Sequence, residues 1–122
     1  MKENIIKTKS YQFALDVVKV CQALTERKEY VLSKQLLRSG TSIGANIEEA
    51  MHAQSTSDFI HKLSIAQKES SETNYWIRLL TDSAIVDAEL GDDLLMKCDE
   101  IQRIIAAILK TTKSRKVQHA NS

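Results

Sequence analysis

The chain has 122 residues, 17 Lys and Arg against 16 Asp and Glu, and a formal net charge of +1, so it has the length of one ordinary domain. It contains no proline and three glycines, which is too few turn-forming residues for an all-β fold. The near-neutral charge also excludes a polybasic protein that coats nucleic acid over its whole surface. No apolar run approaches the roughly 20 residues of a membrane span, and the N-terminus lacks the apolar stretch of a signal peptide. We therefore expect a helical protein in the cytoplasm.

The N-terminal part of the chain predicts a short arm followed by a first helix. Residues 1–9 are rich in lysine and are predicted to form a loose basic arm. Ser10 has the side chain of a helix N-cap, and the helix is expected to run from there to about Glu26. Its apolar stripe has the four-three spacing of an amphipathic helix and consists of Phe13, Val17, Val20 and Leu24.

A second helix is predicted over residues 31–52, although its middle is ambiguous. Its stripe again follows four-three spacing and contains Leu32, Leu36, Ser39, Ile43, Asn46 and Ala50. Gly40 and Gly44 each cost a helix roughly 1 kcal/mol relative to alanine. On propensity alone, a loop over 39–44 between two short helices is an equal alternative. If the helix is continuous, the glycines allow a neighbouring helix to approach closely.

Two further helices complete the pattern. A turn over 53–57 ends at Ser57, a candidate N-cap for a third helix that reaches Leu80. The pattern breaks over 81–87, and a fourth helix follows over about 88–113, with residues 114–122 as a flexible tail. Cys21 and Cys98 lie on apolar stripes and are predicted to be buried free thiols. Four amphipathic helices joined by short turns predict an all-α, antiparallel up-down-up-down four-helix bundle over residues 10–113.

Three stretches of the sequence carry a family resemblance. They are RSGTSIGANIEEA from Arg38, the pattern S-x-x-D-F over 55–59, and LSIAQKESSETNYWIRLL from Leu63. Over roughly residues 12–110 the chain resembles the 23S rRNA intervening-sequence proteins, which are small bacterial four-helix-bundle proteins. The resemblance implies a helix that is continuous through Gly40 and a homo-oligomer, with a ring of five subunits favoured. The chain is also distantly similar to the accessory proteins of diversity-generating retroelements, and this likeness implies contact with nucleic acid.

Polar residues on the second and third helices predict a structural network. An antiparallel pairing of these helices brings Arg38 next to Glu72, and a salt bridge there would fix the register. The network is expected to include five residues in all: Arg38, Asn46, Glu49, Glu69 and Glu72. Asn46 is interpreted as a buried polar residue that sets register or a subunit contact. Two glutamates on one helix, without a third convergent group, do not predict catalysis.

Metal and nucleophile patterns are weak. Glu49 and His52 form a Glu-x-x-His motif, and Asp58 and His61 form the similar Asp-x-x-His. Glu-x-x-His motifs bind the metal ions of di-iron four-helix bundles. Both lie beside the same turn, and the first and fourth helices offer no inward glutamate at that depth. No Ser-His-acid spacing and no phosphate-binding Gly-Lys-Ser/Thr motif is present. We predict no catalytic residues, no metal site and no cofactor.

The charge layout is the main functional indication. An up-down-up-down bundle places both termini and the 53–57 turn at one end, where acids are almost absent from the sequence. The bases gathered there, which we name the basic end, are Lys2, Lys7, Lys9, Lys110, Lys113, Arg115 and Lys116. Acids at the start of the fourth helix and bases at its end also complement the helix dipole. The alternative is that the basic end meets phosphate backbones.

The surplus of apolar residues predicts self-association. Five residues exceed the needs of one core and suggest a second apolar face: Ile60, Tyr75, Trp76, Leu95 and Ile104. The resulting prediction is a non-enzymatic homo-oligomer that acts as an RNA- or DNA-associated scaffold with sequence-independent phosphate contacts. The alternative function is a protein–protein interaction module without nucleic-acid binding.

Overall fold

The computed structural model describes residues 2–121 of the chain, and the side chains of residues 5–118. The four helices are α1 (Lys2–Glu26), α2 (Tyr30–Met51), α3 (Thr56–Asp82) and α4 (Ala88–Asn121). Consecutive helices pack against each other and α4 closes the bundle on α1. The described residues contain no strand, so the predicted all-α four-helix bundle is confirmed. Within the same range, none of the helices has a stretch long and apolar enough to cross a bilayer.

Helix α2 is continuous from Tyr30 to Met51, which excludes the alternative of a loop over 39–44. Its glycines face α1. A Cβ atom added at Gly40 would lie 2.9 Å from Cγ1 of Val17, and one at Gly44 would lie 3.4 Å from the backbone oxygen of Ser10. Both glycines thus face α1, and the predicted close approach of a neighbouring helix is confirmed at Gly40.

The core contains small polar residues among the aliphatic side chains. Ser33, Ser39, Ser70 and Thr73 are buried between the helices, where their size allows close packing. Both cysteines are buried and free, as predicted. The Cys21 thiol donates to the backbone oxygen of Ser33 at 3.3 Å, and the Cys98 thiol donates to that of Ser70 at 3.3 Å. Each sulfhydryl hydrogen thus has an acceptor inside the bundle.

The start of α1 differs from the prediction. The helix begins at Lys2 rather than Ser10. Ile6 is fully buried and Ser10 is 1% exposed, and the Ser10 hydroxyl donates to the backbone oxygen of Lys7 at 3.2 Å instead of capping the helix. The predicted start is wrong because Ile6 and Ser10 extend the four-three stripe of Phe13 and Val17 by another two turns.

Two other boundaries also differ. Helix α3 is capped by Ser55, whose side chain accepts a hydrogen bond from the backbone N–H of Asp58 at 3.0 Å, so the cap predicted at Ser57 is wrong. Helix α4 continues past residue 113 to Asn121. The segment over 114–121 contains neither proline nor glycine, and nothing in its sequence stops a helix that is already formed.

Candidate functional site

The last turns of α4 extend beyond α1. Lys9 Nζ of α1 lies 3.1 Å from Glu100 Oε1 of α4, and α1 begins seven residues before Lys9. Because both helices have the same rise per residue, the start of α1 lies level with about residue 107 of α4. The segment that passes beyond it, residues 110–118, is named the α4 extension. Its sequence is KTTKSRKVQ, with four bases and no acid.

The bases of the α4 extension are accessible. Lys110, Lys113, Arg115 and Lys116 are all exposed. Within residues 5–118, none of the four lies in an ion pair with a described side chain. Lys116 Nζ donates to Ser57 Oγ on the first turn of α3, which places the α4 extension against the start of α3. The arrangement offers unneutralised positive charge to solvent.

The rest of the basic end is different. Lys7 Nζ lies 3.7 Å from Glu48 Oε2, and Lys9 is paired with Glu100. The expectation that acids are almost absent here is therefore wrong, because α2 and α4 bring their own carboxylates to the side of α1. The side chain of Lys2 lies outside the described side chains. Among its described side chains, the basic end thus has two bases on α1 that are neutralised and four bases on α4 that lie outside any ion pair.

A polar cluster joins α2 to α3. Arg38 Nη1 donates to Glu69 Oε2 at 3.2 Å, and Nη2 donates to Glu72 Oε2. Trp76 Nε1 donates to the same Glu72 oxygen at 2.9 Å. These hydrogen bonds, first from Trp76 and then from Arg38, lower the pKa of Glu72. Since the Arg38 side chain is 51% exposed, the pair contributes at most about 1 kcal/mol to stability, and its main effect is on register.

The other two members of the predicted network lie elsewhere. Asn46 is half-buried, and its Nδ2 donates to the backbone oxygen of Ser42 at 2.9 Å and to its Oγ at 3.1 Å. Those bonds stay within α2. Glu49 Oε1 lies 3.2 Å from Lys62 Nζ, nearer the α2–α3 turn. The structure brings together Arg38, Glu69 and Glu72, but not Asn46 or Glu49.

Sequence reasoning missed a second cluster, between α1 and α4. Lys97 Nζ lies 3.0 Å from Asp16 Oδ2 and 2.9 Å from Asp93 Oδ2. Hydrogen bonds to Asp93 and then to Asp16 raise the pKa of Lys97. The Asp93–Lys97 spacing of four residues was visible as a helical pair. Asp16, the partner on α1, could be predicted only from how α1 lies against α4.

Neither histidine motif gathers a metal site. His52 and His61 flank the α2–α3 turn, and both are exposed. Among the described residues, no group of three or more His, Cys, Asp or Glu side chains is close enough to hold a metal ion.

Most of the apolar residues that predicted a second face pack against the core. Four of them are partly buried and pack against it: Ile60, Trp76, Leu95 and Ile104. Only Tyr75 is substantially exposed, at 49%. The bundle core is wider than expected, and the other four residues pack against it. The exposed apolar residues lie mainly elsewhere, with Tyr11 and Leu15 of α1 among them.

Comparison with known proteins identifies the family. The sequence profile of the 23S rRNA-intervening sequence protein family matches residues 2–107. The chain belongs to this family. A crystal structure from Bacteroides thetaiotaomicron, of an S23 ribosomal protein family member of unknown function, superposes with a TM-score of 0.88 at 48% identity and covers 90% of this chain and 99% of that one. No curated protein matches the sequence.

The 23S rRNA-intervening sequence protein family match covers α1, α2, α3 and most of α4. It ends at residue 107, three residues before the α4 extension begins. The polar cluster of Arg38 and Glu72 lies inside the family match, whereas the free bases of α4 lie outside it. The bundle is thus the shared part of the chain.

Proposed function

We propose that this protein is a non-enzymatic, homo-oligomeric helical scaffold of the cytoplasm that associates with RNA or DNA. The observation that carries the proposal is the α4 extension, where Lys110, Lys113, Arg115 and Lys116 are exposed and have no ion-pair partner within residues 5–118. Lysine and arginine contact phosphates without regard to sequence. The extension contains no aromatic side chain on which a base could stack, so binding is expected to be independent of sequence.

Self-association makes such binding effective. One copy offers at most four free bases at this site, and each neutralised phosphate contributes a log–log salt slope of only about −0.7 to −0.9. An oligomer repeats the extension around its axis, so a strand that spans the subunits binds several copies at once. The resemblance favours a ring of five subunits. A monomer should bind weakly even at low salt.

The test is a salt titration of nucleic acid against two matched variants. The first replaces Lys110, Lys113, Arg115 and Lys116 with glutamine. The control makes the same change of three lysines and one arginine outside the extension, at Lys19, Lys28, Lys68 and Arg103, all of which are exposed. Fluorescence anisotropy of a labelled single strand and a duplex gives the affinity of each protein for both.

We expect the extension variant to lose at least tenfold in affinity and to show a shallower salt slope, since it neutralises fewer phosphates. The control variant should lose less, although its net charge is the same. Equal losses in the two variants would mean that overall charge, not the extension, attracts the strand. No binding by the unmodified protein at low salt would refute the nucleic-acid proposal.

A protein–protein interaction module is the second candidate. It is favoured by the pairing of Lys7 and Lys9 with Glu48 and Glu100, which leaves the basic end less positive than its sequence indicates. It is also favoured by exposed apolar side chains on α1. Under this alternative the bundle binds a protein partner and the salt titration gives no nucleic-acid signal.

A further inference from the structure

An open groove lies at the end of the bundle where the α2–α3 turn meets α4. Its lining comes from four parts of the chain and includes Met51 of α2, Gln54 of the turn, Thr56 and Phe59 of α3, and Thr112 of the α4 extension. The groove has a volume of about 360 Å³, and small-ligand sites typically have roughly 300–1,000 Å³. Among the described residues, no charged side chain lines it. We name this uncharged recess the end groove.

Phe59 gives the end groove an aromatic wall. Phe59 and Met51 are partly buried, and both pack against the core, which holds their side chains in place. A side chain that is already held loses little freedom when a ligand lies on it. Nucleobases of every kind stack on aromatic rings, because each base has a π-face. The wall therefore suits a flat aromatic ligand.

Two polar side chains of the end groove have no partner in the described part of the chain. Gln54 and Thr56 are exposed, and neither side chain takes part in a hydrogen bond with a described residue. The Thr112 hydroxyl, by contrast, donates to the backbone oxygen of Ile108 at 2.8 Å. An amide has donors and an acceptor, which are the groups that bind the polar edge of a base. Gln54 is thus available to a ligand that stacks on Phe59.

Positive charge borders the end groove on the side of α4. Arg115 and Lys116 follow Thr112 by three and four residues, so they lie on the same face of the helix as this lining residue. Lys116 Nζ donates to Ser57 Oγ on the first turn of α3. Lys110 precedes Thr112 by two residues and does not share that face. Arg115 and Lys116 are therefore the bases that a ligand in the end groove can contact.

The acids of this end line a different surface. Glu48, Glu49 and Asp58 line a separate recess between α2 and α3. Glu48 and Glu49 are each paired with a lysine, and none of the three acids lines the end groove. The end groove thus combines an aromatic wall with a positive rim, and the charge of that rim is complementary to phosphate.

We infer that the end groove holds one unpaired base of a single strand, with the neighbouring phosphates on Arg115 and Lys116; the inference rests on the proposed function, since it names the form of nucleic acid that the α4 extension binds. The base stacks on Phe59, and the Gln54 amide hydrogen-bonds to its edge. In a duplex each base is already stacked and paired, so a duplex contacts the extension through its phosphates alone. A single strand therefore binds more tightly than its phosphate contacts explain.

The test compares strands that differ in their bases but not in their charge. The probes are a labelled oligothymidine, the matching oligouridine and an abasic strand of the same length. Fluorescence anisotropy at a fixed salt concentration gives the affinity of the full chain for each. We expect a base-bearing strand to bind roughly fivefold more tightly than the abasic strand, or better, which is the lower end of the effect of one stacked base. The ratio between the two base-bearing strands shows which sugar the site takes.

Phe59→Leu removes the aromatic face and keeps an apolar side chain in the groove. The matched control is Tyr75→Leu, which removes a 49% exposed ring about 24 Å further along α3. We expect Phe59→Leu to bind the base-bearing and abasic strands equally, and Tyr75→Leu to keep the difference between them. Circular dichroism confirms that both variants are helical. A folded Phe59→Leu that keeps the full preference for bases overturns the inference.

A second measurement does not depend on the folding of Phe59→Leu. Trp76→Phe combined with Phe59→Trp moves the single tryptophan of the chain into the end groove. A base that stacks on this indole quenches its emission, so oligothymidine should quench it and the abasic strand should not. Emission that both strands leave unchanged, or that both change equally, contradicts stacking in the groove.

The outcomes separate this inference from the proposed function. If the unmodified protein binds the base-bearing and abasic strands equally, the phosphates alone are held; the inference is then wrong and the proposed nucleic-acid binding stands. If no strand binds at low salt, both are wrong. A preference for bases that Phe59→Leu loses and Tyr75→Leu keeps supports the end groove as the site of the unpaired base.

Discussion

At the residue scale, the two glycines of α2 differ in what lies next to them. At Gly40 an added methyl would meet the γ-carbons of Val17, a buried and β-branched side chain that has little freedom to turn away. At Gly44 the nearest atom is the backbone oxygen of Ser10, at an ordinary contact distance of 3.4 Å. Packing against α1 therefore requires a glycine at position 40 but not at position 44.

We expect Gly40→Ala to destabilise the protein and Gly44→Ala to stabilise it. Overpacking typically costs 1–3 kcal/mol, whereas alanine gains about 1 kcal/mol of helix propensity over glycine. The net effect is a loss of up to about 2 kcal/mol at Gly40 and a gain of up to about 1 kcal/mol at Gly44. Urea unfolding followed by circular dichroism measures both. A loss of equal size at the two positions would mean that α1 is equally close to both.

At the element scale, the start of α1 is decided by packing. The lysines over 1–9 suggest a solvated arm, but Ile5 and Ile6 lie between them, and Ile6 is fully buried. The apolar stripe therefore begins earlier than the cap signal at Ser10 indicates. A serine can cap a helix or fit into a tight contact between helices. The position of α2 shows that Ser10 lies in such a contact.

The difference in burial between Ile6 and Ile5 provides a test and its control. Ile6→Ala should destabilise the protein by about 2–4 kcal/mol, since truncation of a buried isoleucine loses its burial and leaves a cavity. Ile5→Ala should change stability little, because Ile5 is 47% exposed. Chemical unfolding of both variants measures the difference. Unaltered stability in Ile6→Ala would mean that the first turns of α1 do not contribute to the packed core.

Helix number, order and pairing could be predicted from the sequence because they depend on periodicity, which each helix carries by itself. The Arg38–Glu72 contact was predictable for a similar reason: a short turn fixes how α2 lies against α3. The partners of Lys7 and Lys9 and the α1 partner of Lys97 were not, because these pairs join α1 to helices whose relative rotation is set by the packed core. The candidate site was therefore predictable in its residue types but not in which of its charges remain free.

At the scale of the whole molecule, the reactivity of the two cysteines reports on whether the bundle is folded and its core is closed to solvent. Burial raises the pKa of Cys21 to about 11, and burial with the nearby Asp99 raises that of Cys98 to about 12. The thiolate is the reactive form, and at pH 8 both groups stay protonated in the folded protein. Unfolding returns each thiol to its ordinary pKa and exposes it to solvent.

We expect neither thiol to react with a disulfide reagent at pH 8 in the folded protein, and both to react in denaturant. If the bundle unfolds in one step, the two thiols should become reactive over the same urea range. Cys98→Ala, which leaves Cys21 as the single thiol, identifies the two contributions. Rapid reaction of Cys21 in the folded protein would show that α1 opens separately from the rest of the bundle.

The chain has one tryptophan, and its place in the fold makes it an optical probe. The Trp76 indole is tied to Glu72, and the Tyr75 ring stands edge-on to it with centroids 5.0 Å apart, close enough for energy transfer from tyrosine to tryptophan. Emission therefore reports on the α2–α3 contact. A strand held by the α4 extension lies at the far end of the bundle, so nucleic acid should leave the spectrum unchanged while loss of the fold shifts it to the red.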